Sequence, residues 1–472
     1  MSQSRCTTKH LAIAPGATAL QWAACLAAVV CGSSYAVAQV ASDNGSGVSG
    51  AAAPAGILPF DLLSSLLLLV AAVIGLAVVL FSLGYISPHN REHSSTARRG
   101  LYLGWLLTAI GATIGVALAQ NLLQLVVFVE LLTVCAWGLV SFYGDDASRR
   151  AGFKGLLITG TGTVCFIAVL LLLYAGGAPD AFGFDTLFRL EGPLSVVVFV
   201  LLLVGVATKA GLFPFFTWVL DATHGPITSI GYLCSGGLGV AIVYMIARLL
   251  TANAGVMQQP AVVLGLLARL TIIVGIVLLF FQQDLKRLVA LFALVNLGHV
   301  VGAIAAGAQG SAGAFNAGLL HLVPYSLGTA LLFLSVGMIS WATGTSQVQS
   351  LTGAMHPPLR MAALGFFVGV FTLTGVPPFA GFWTKLQILG SASLLGSGGT
   401  EMIVCTLLES TVALGFFLWM GHRVFFGPSS EAVVQARKTP RSMRAVVIAL
   451  AILCVLVPFC WFSLFHQLAA GM

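Results

Sequence analysis

Charge is scarce in this sequence. Asp, Glu, Lys and Arg make up 7% of its 472 residues, against about 25% in a soluble domain, which excludes an ordinary water-soluble fold. No internal polar stretch is long enough to form a nucleotide-binding domain. The nine cysteines are scattered through apolar runs, with no CxxC and no Cys/His ligand spacing. They read as small apolar residues, and no metal site is expected. A quinone, flavin or iron–sulfur signature is lacking, as is a carboxylate cluster obviously suited to a cation, so no cofactor is expected. The net charge of +7 would suggest an acidic partner for a soluble protein. Here the basic residues sit beside apolar runs as anchors, and nucleic acid is not implied.

What the chain has in abundance is apolar length. It is 58% hydrophobic, with many runs long enough to cross a bilayer as a helix. This is an all-α polytopic membrane protein, surrounded by lipid. Spans are expected at 60–86, 101–119, 121–143, 153–176, 194–213, 227–250, 261–282, 288–307, 313–340, 361–391, 402–421 and 445–467. The 54 glycines fit close helix–helix contact. Residues 1–40 read as either a cleaved signal or a thirteenth span: Arg5 and Lys9 precede an apolar stretch, and Ala36-Val37-Ala38 resembles a cleavage site. Residues 41–59 form a polar linker on the outer face, and residues 428–472 a cytoplasmic loop and final span.

Alternate loops carry fourteen of the 21 Lys and Arg residues: Arg91, Arg98, Arg99; Arg149, Arg150, Lys154; Lys286, Arg287; Arg360; Arg423, Arg437, Lys438, Arg441, Arg444. The positive-inside rule makes that side cytoplasmic, as in a bacterial inner membrane.

Few ionisable residues fall within spans: Glu130, Lys209, Arg269, His299, His321, Lys385 and Glu409. Each must neutralise or find a partner. Lys209 precedes a helix break at Pro214, and a second break at Pro377-Pro378 precedes Lys385. Broken helices at membrane depth survive where protein or a wet cavity satisfies the freed carbonyls, and transporters use them at ion sites. A Glu130–Lys209 pair that is made and broken would handle protons; a static ion pair fixing helix register is the alternative. His299 and His321 are candidate proton relays or structural hydrogen-bonding groups. Arg269 and Glu409, taken singly, read more simply as structural. Asp61 and Arg248 lie at span ends, where they would snorkel to the interface.

From about Gln120 to Gly427 the chain resembles the proton-conducting, antiporter-like membrane subunits of respiratory complex I, a family that includes Mrp-type antiporter and group 4 membrane-bound hydrogenase subunits. FVELL around Glu130 looks like the family's glutamate helix. KAGLFPFFTWVLDATHGP looks like its lysine-bearing broken helix. QQDLKRLVALFALVNLGHV, GLLHLVPYSLGTALLFL, GVPPFAGFWTKLQIL and RVFFG are similar to four further motifs, in the family's order.

The resemblance implies two inverted five-helix repeats spanning residues 60–427, each with a broken helix, and a chain of ionisable residues that moves protons. Glu130, Lys209, His321 and Lys385 carry over onto it. Lys209 would be the switchable carrier, Glu130 its partner, Lys385 the terminal lysine and His321 a relay between the halves. The chain also departs from the pattern. Val240 stands where many members have a lysine, Thr329 replaces the second half's lysine, Tyr325 a histidine, and Phe216 the histidine of the broken-helix motif. Bridging would fall to waters, His299, Tyr325, Thr329 and Cys234, and Glu409, an extra acid that the pattern does not require, is a further candidate relay.

The expected function is therefore proton translocation as a non-catalytic subunit of a multisubunit energy-coupling complex, such as an NADH–quinone oxidoreductase or membrane-bound hydrogenase. Its partners would be other membrane subunits, together with a peripheral redox or hydrogenase arm. A structural paralogue with an incomplete proton path, an Mrp-type subunit exchanging Na+ for protons and an inorganic-carbon-uptake membrane subunit stay open.

Overall fold

The computed structural model describes residues 62–470, apart from 95–97, 178–179, 191, 254–255 and 394–395. The expectations for residues 1–40 and 41–59 and for Asp61 lie outside the described residues. Among those described, the chain is helical, with one isolated antiparallel bridge between Asp284 and Gln347 and no strand.

The helices follow the apolar runs. They are α1 (Leu62–Tyr85), α2 (Arg99–Leu118), α3 (Leu122–Val140), α4 (Asp146–Ala175), α5 (Pro193–Ala210), the short α6 (Thr217–Asp221), α7 (Ile227–Ser235), α8 (Leu238–Ala252), α9 (Gln258–Leu279), α10 (Leu285–Ala308), α11 (Ala312–Thr343), α12 (Arg360–Thr374), α13 (Ala380–Ala392), α14 (Gly396–Phe425), the short α15 (Glu431–Val434) and α16 (Arg441–Ala470). They supply the twelve expected spans, with α7 and α8 together making one.

Helix starts are capped by side chains that replace the missing backbone acceptors. Asn121 accepts from Gln124 N at 2.9 Å, Asp145 from Ser148 N at 2.7 Å and Asp284 from Lys286 N at 2.8 Å. The Asp145 cap starts α4 well before the expected residue 153. Arg149, Arg150 and Lys154 are therefore helical rather than loop residues.

Both expected breaks share one local geometry. Helix α5 ends on Gly211 (φ 70°), with the amides of Gly211 and Leu212 both donating to Ala207 O. Helix α12 ends on Gly375 (φ 80°), with the amides of Gly375 and Val376 both donating to Phe371 O. The left-handed conformation suits glycine, and the paired donors satisfy helix-end carbonyls that lipid could not. A cis X-Pro bond follows each: Phe213-Pro214 and Pro377-Pro378. A third interruption was not foreseen. The expected continuous span 227–250 is divided at Gly236-Gly237, whose amides both turn back to Tyr232 O at 2.9 and 2.8 Å. Two adjacent glycines supply little helix propensity.

Helices α7–α8, α10 and α11 are buried almost throughout, while α4, α9 and α14 turn one face outward. That outer face carries Val164, Leu171, Val263, Val277 and Leu408, the surface that lipid requires. The basic loops gather at one end. Arg91 N donates to Trp341 O and Arg437 N to Ala342 O, both at 3.1 Å. Asp221 binds Lys154 at 2.5 Å and Arg287 at 2.9 Å, and Glu92 pairs with Lys286.

Candidate functional site

Lys209 occupies the last turn of α5, with its side chain 0% exposed, and pairs with Glu130 of α3. Its Nζ lies 3.0 Å from Glu130 Oε1 and 3.2 Å from Oε2. Two hydroxyls complete the cage: Nζ donates to Thr133 Oγ1 at 2.8 Å and to Thr163 Oγ1 at 3.1 Å, and Thr163 donates to Glu130 Oε2 at 2.6 Å. Thr133 follows Glu130 by three residues and so shares its helix face. Thr163 comes from α4, and Gly162 lets α4 approach α5: a Cβ there would meet Thr208 Oγ1 and lie 2.9 Å from Gly205 O. The pair expected from the sequence is thus formed. A lysine buried this deeply is tolerated because every strong neighbour is an acceptor.

The second half holds a comparable arrangement built differently. Lys385 of α13, just beyond the second break, lies 2.6 Å from Glu409 Oε2 and donates to Ser410 Oγ at 3.0 Å, both on α14. The same Glu409 oxygen lies 2.9 Å from His299 Nε2 of α10. His299 Nδ1 faces Thr406 Oγ1 at 3.5 Å, one turn before Glu409. Glu409 and His299 are thus not the isolated groups that the sequence suggests. They form one buried cluster with Lys385, and Glu409 stands to Lys385 as Glu130 does to Lys209.

Between the two pairs the polar groups are sparse. His321 Nδ1 meets Thr384 Oγ1 at 2.7 Å, and its Nε2 is buried with no protein partner. Tyr325 OH donates to the Cys234 carbonyl at 2.9 Å, one of the acceptors beside the α7–α8 interruption. Thr329 Oγ1, Ser326 Oγ and Asn296 Oδ1 are likewise buried without a protein partner. Val240 is fully buried and offers no polar atom. In α11, Pro324 lacks an amide and leaves the carbonyl one turn earlier without its helical donor.

Other charges are placed as follows. Arg248, half-buried at its span end, is held by neighbouring side chains. Its Nη2 donates to Ser64 Oγ at 2.9 Å and Tyr244 OH at 2.8 Å, and its guanidinium lies over Phe184. Arg269 of α9 reaches Glu401 of α14 at 3.4 Å. On the basic side, burial raises the Glu92 carboxyl, but the adjacent Lys286 ammonium outweighs it and leaves the group below its ordinary value. Burial pushes the neighbouring His93 imidazole down; its ring stacks on Tyr143 at 3.7 Å.

Thr133, Thr163, Ser410, Thr406 and Glu401 were missed from the sequence. Thr133 and Ser410 had a usable signal, lying on the helix turn or peptide next to an embedded carboxylate. Thr163 and Glu401 had none, because each meets its partner from a different helix.

Solved structures share the fold. The membrane-bound sulfane sulfur reductase, an archaeal respiratory membrane complex, matches with TM-score 0.75 at 22% identity over 88% of this chain and 84% of the other. The Mrp complex from Dietzia sp. DQ12-45-1b matches with TM-score 0.76 at 19% identity over 94% and 90%. In sequence, the chain is 28% identical over 394 residues to a probable K(+)/H(+) antiporter A/B subunit of Rhizobium meliloti, covering 81% of this chain and 38% of that protein. It is 31% identical over 360 residues to the Na(+)/H(+) antiporter A1 subunit of Staphylococcus aureus, covering 70% and 42%. The chain thus spans about two fifths of the length of these relatives. The family described as NADH:quinone oxidoreductase/Mrp antiporter, TM matches residues 119–411, a segment that contains both lysine–carboxylate pairs and both glycine–proline breaks. The chain therefore belongs to the NADH:quinone oxidoreductase/Mrp antiporter transmembrane family.

Proposed function

We propose that this chain moves protons as an antiporter-like integral subunit of a multisubunit membrane complex, in a bacterial inner membrane with its basic loops cytoplasmic. One observation carries the reading: each half holds a buried lysine bound to a carboxylate beside a helix break. A buried lysine gives up its proton when its carboxylate partner is drawn away, and takes it back when the pair reforms. Lys209 is then the switchable carrier, with Glu130 setting its occupancy. Lys385, with Glu409 and His299, is the terminal station. His321 links the halves through Thr384. His321 Nε2, Thr329 Oγ1, Ser326 Oγ and Asn296 Oδ1 are the groups to which bridging waters would bind, carrying protons past Val240. Tyr325, committed to the Cys234 carbonyl, holds the α7–α8 interruption in place.

The partners are other membrane subunits. A peripheral redox or hydrogenase arm would make the complex an energy-coupling oxidoreductase in which this chain has no redox chemistry of its own. A second reading, exchange of Na+ or K+ for protons in an Mrp-type assembly, is favoured by the names of the two relatives in sequence. The test is the purified complex in proteoliposomes. Lys209→Ala and Glu130→Ala should each abolish coupled proton movement while the complex still assembles. Unchanged flux in both would reduce the chain to a scaffold. Adding and removing Na+ and K+ in the same vesicles separates the two readings.

A further inference from the structure

A cavity of about 420 Å³ opens between α9, α10 and α14. Its lining includes Arg269, His299, Gln309, Glu401, Cys405 and Thr406. Gln309 follows the last residue of α10, and Glu401 lies near the start of α14. Both are therefore at the end of the bundle opposite the basic loops. His299 lies nine residues before the end of α10, about 14 Å deeper at 1.5 Å per residue. The cavity thus descends from that face to the floor where His299 stands.

Three features point to water and protons in this space. Arg269 stands in the middle of α9, and a charged residue at membrane depth faces a bundle interior or a water-filled cavity. The Arg269–Glu401 contact is long, a single 3.4 Å approach, with the Glu401 side chain 61% exposed, so it forms a breakable threshold rather than a lock. The third is the placement of His299. Its Nε2 contacts Glu409, and its Nδ1 faces Thr406, a residue of the cavity wall. Lys385 and Glu409 are not in that lining.

We infer that this cavity is the aqueous access path between the face opposite the basic loops and the Lys385–Glu409 pair, with His299 as the proton link at its floor and Arg269–Glu401 as its threshold. The assignment rests on the proton-translocating reading above. In one transfer, the Lys385 ammonium gives its proton to Glu409, and the resulting acid gives it to His299 Nε2. The imidazolium then releases its Nδ1 proton to water in the cavity. Lys385 is left neutral, Glu409 ionised and His299 protonated on Nε2. Before the next proton the neutral ring exchanges tautomer through cavity water, which takes the Nε2 proton when the ring has rotated to face it and returns one to Nδ1.

The native Cys405, half-buried in the wall, is a built-in probe. Membrane vesicles carrying the assembled complex in one orientation would be treated with the impermeant thiosulfonates MTSET and MTSES. Cys405 should be modified from the face opposite the basic loops and protected from the other. The adduct should be missing from a Cys405→Ala chain and form several-fold faster in Arg269→Gln. The modified wild-type chain should pump more slowly, and His299→Gln should lose about tenfold of its flux with Cys405 labelling unchanged. Absence of labelling from that face, as when a neighbouring subunit seals the cavity, overturns the path. So does full-rate pumping by the modified chain. Failure of the underlying reading shows separately, as a Lys209→Ala complex that still moves protons while Cys405 labels normally.

Discussion

Glu409 Oε2 lies 2.6 Å from Lys385 Nζ, and the same oxygen lies 2.9 Å from His299 Nε2. One buried carboxylate thus serves a lysine on one side and an imidazole on the other. Removing one partner of such a pair leaves an uncompensated buried charge, at a cost of roughly 3–5 kcal/mol. Lys385→Met and Glu409→Leu alone should therefore each destabilise the detergent-solubilised protein more than the double substitution does. Thermal unfolding of the three variants checks this. A double variant as unstable as the two singles added together would show that the pair is not coupled.

The hydroxyl cage around Lys209 should matter for transport more than for folding. Thr163 donates to Glu130 at 2.6 Å and accepts from Lys209 at 3.1 Å, and a hydrogen bond to a charged group contributes about 1.5–3 kcal/mol. Thr163→Val keeps the shape and removes both bonds. Proton flux in proteoliposomes should fall about tenfold, with the complex still assembled, and Thr163→Ser should recover most of it. If valine and serine behaved alike, the hydroxyl would have no part in the transfer.

The Glu92–Lys286 pair should act as an acid-sensitive clamp on the basic face. A carboxyl whose folded-state pKa is depressed contributes stability above its unfolded value and loses that contribution as the pH falls through the depressed one. Glu92 is such a group. Protease resistance around Glu92 should persist through neutral and mildly acidic pH and fall only below the ordinary carboxylate range. Glu92→Gln should be sensitive at every pH, having lost about 3 kcal/mol. Identical digestion profiles for the two proteins would count against the clamp.

The sequence alone determined the spans, because a backbone in lipid must satisfy its own hydrogen bonds, so a long apolar run has to be a helix. It also determined both breaks. Pro214 and Pro377-Pro378 state a missing donor in local terms that no tertiary contact has to supply, while the left-handed helix ends at Gly211 and Gly375 came from the structure. Glu130 and Lys209 each called for a partner from the sequence, because a lone charge is costly in hydrocarbon, but that they meet each other came from the structure. Only the tertiary structure decided who shares a site across helices. Helical periodicity assigns a residue to a face of its own helix, but the rotation and register of one helix against another come from side-chain packing along their whole contact. That is why Thr163 reached Lys209 unannounced, why Arg248 met Ser64 of another helix, and why Glu409, which looked like a stray acid, became the point where Lys385 and His299 meet.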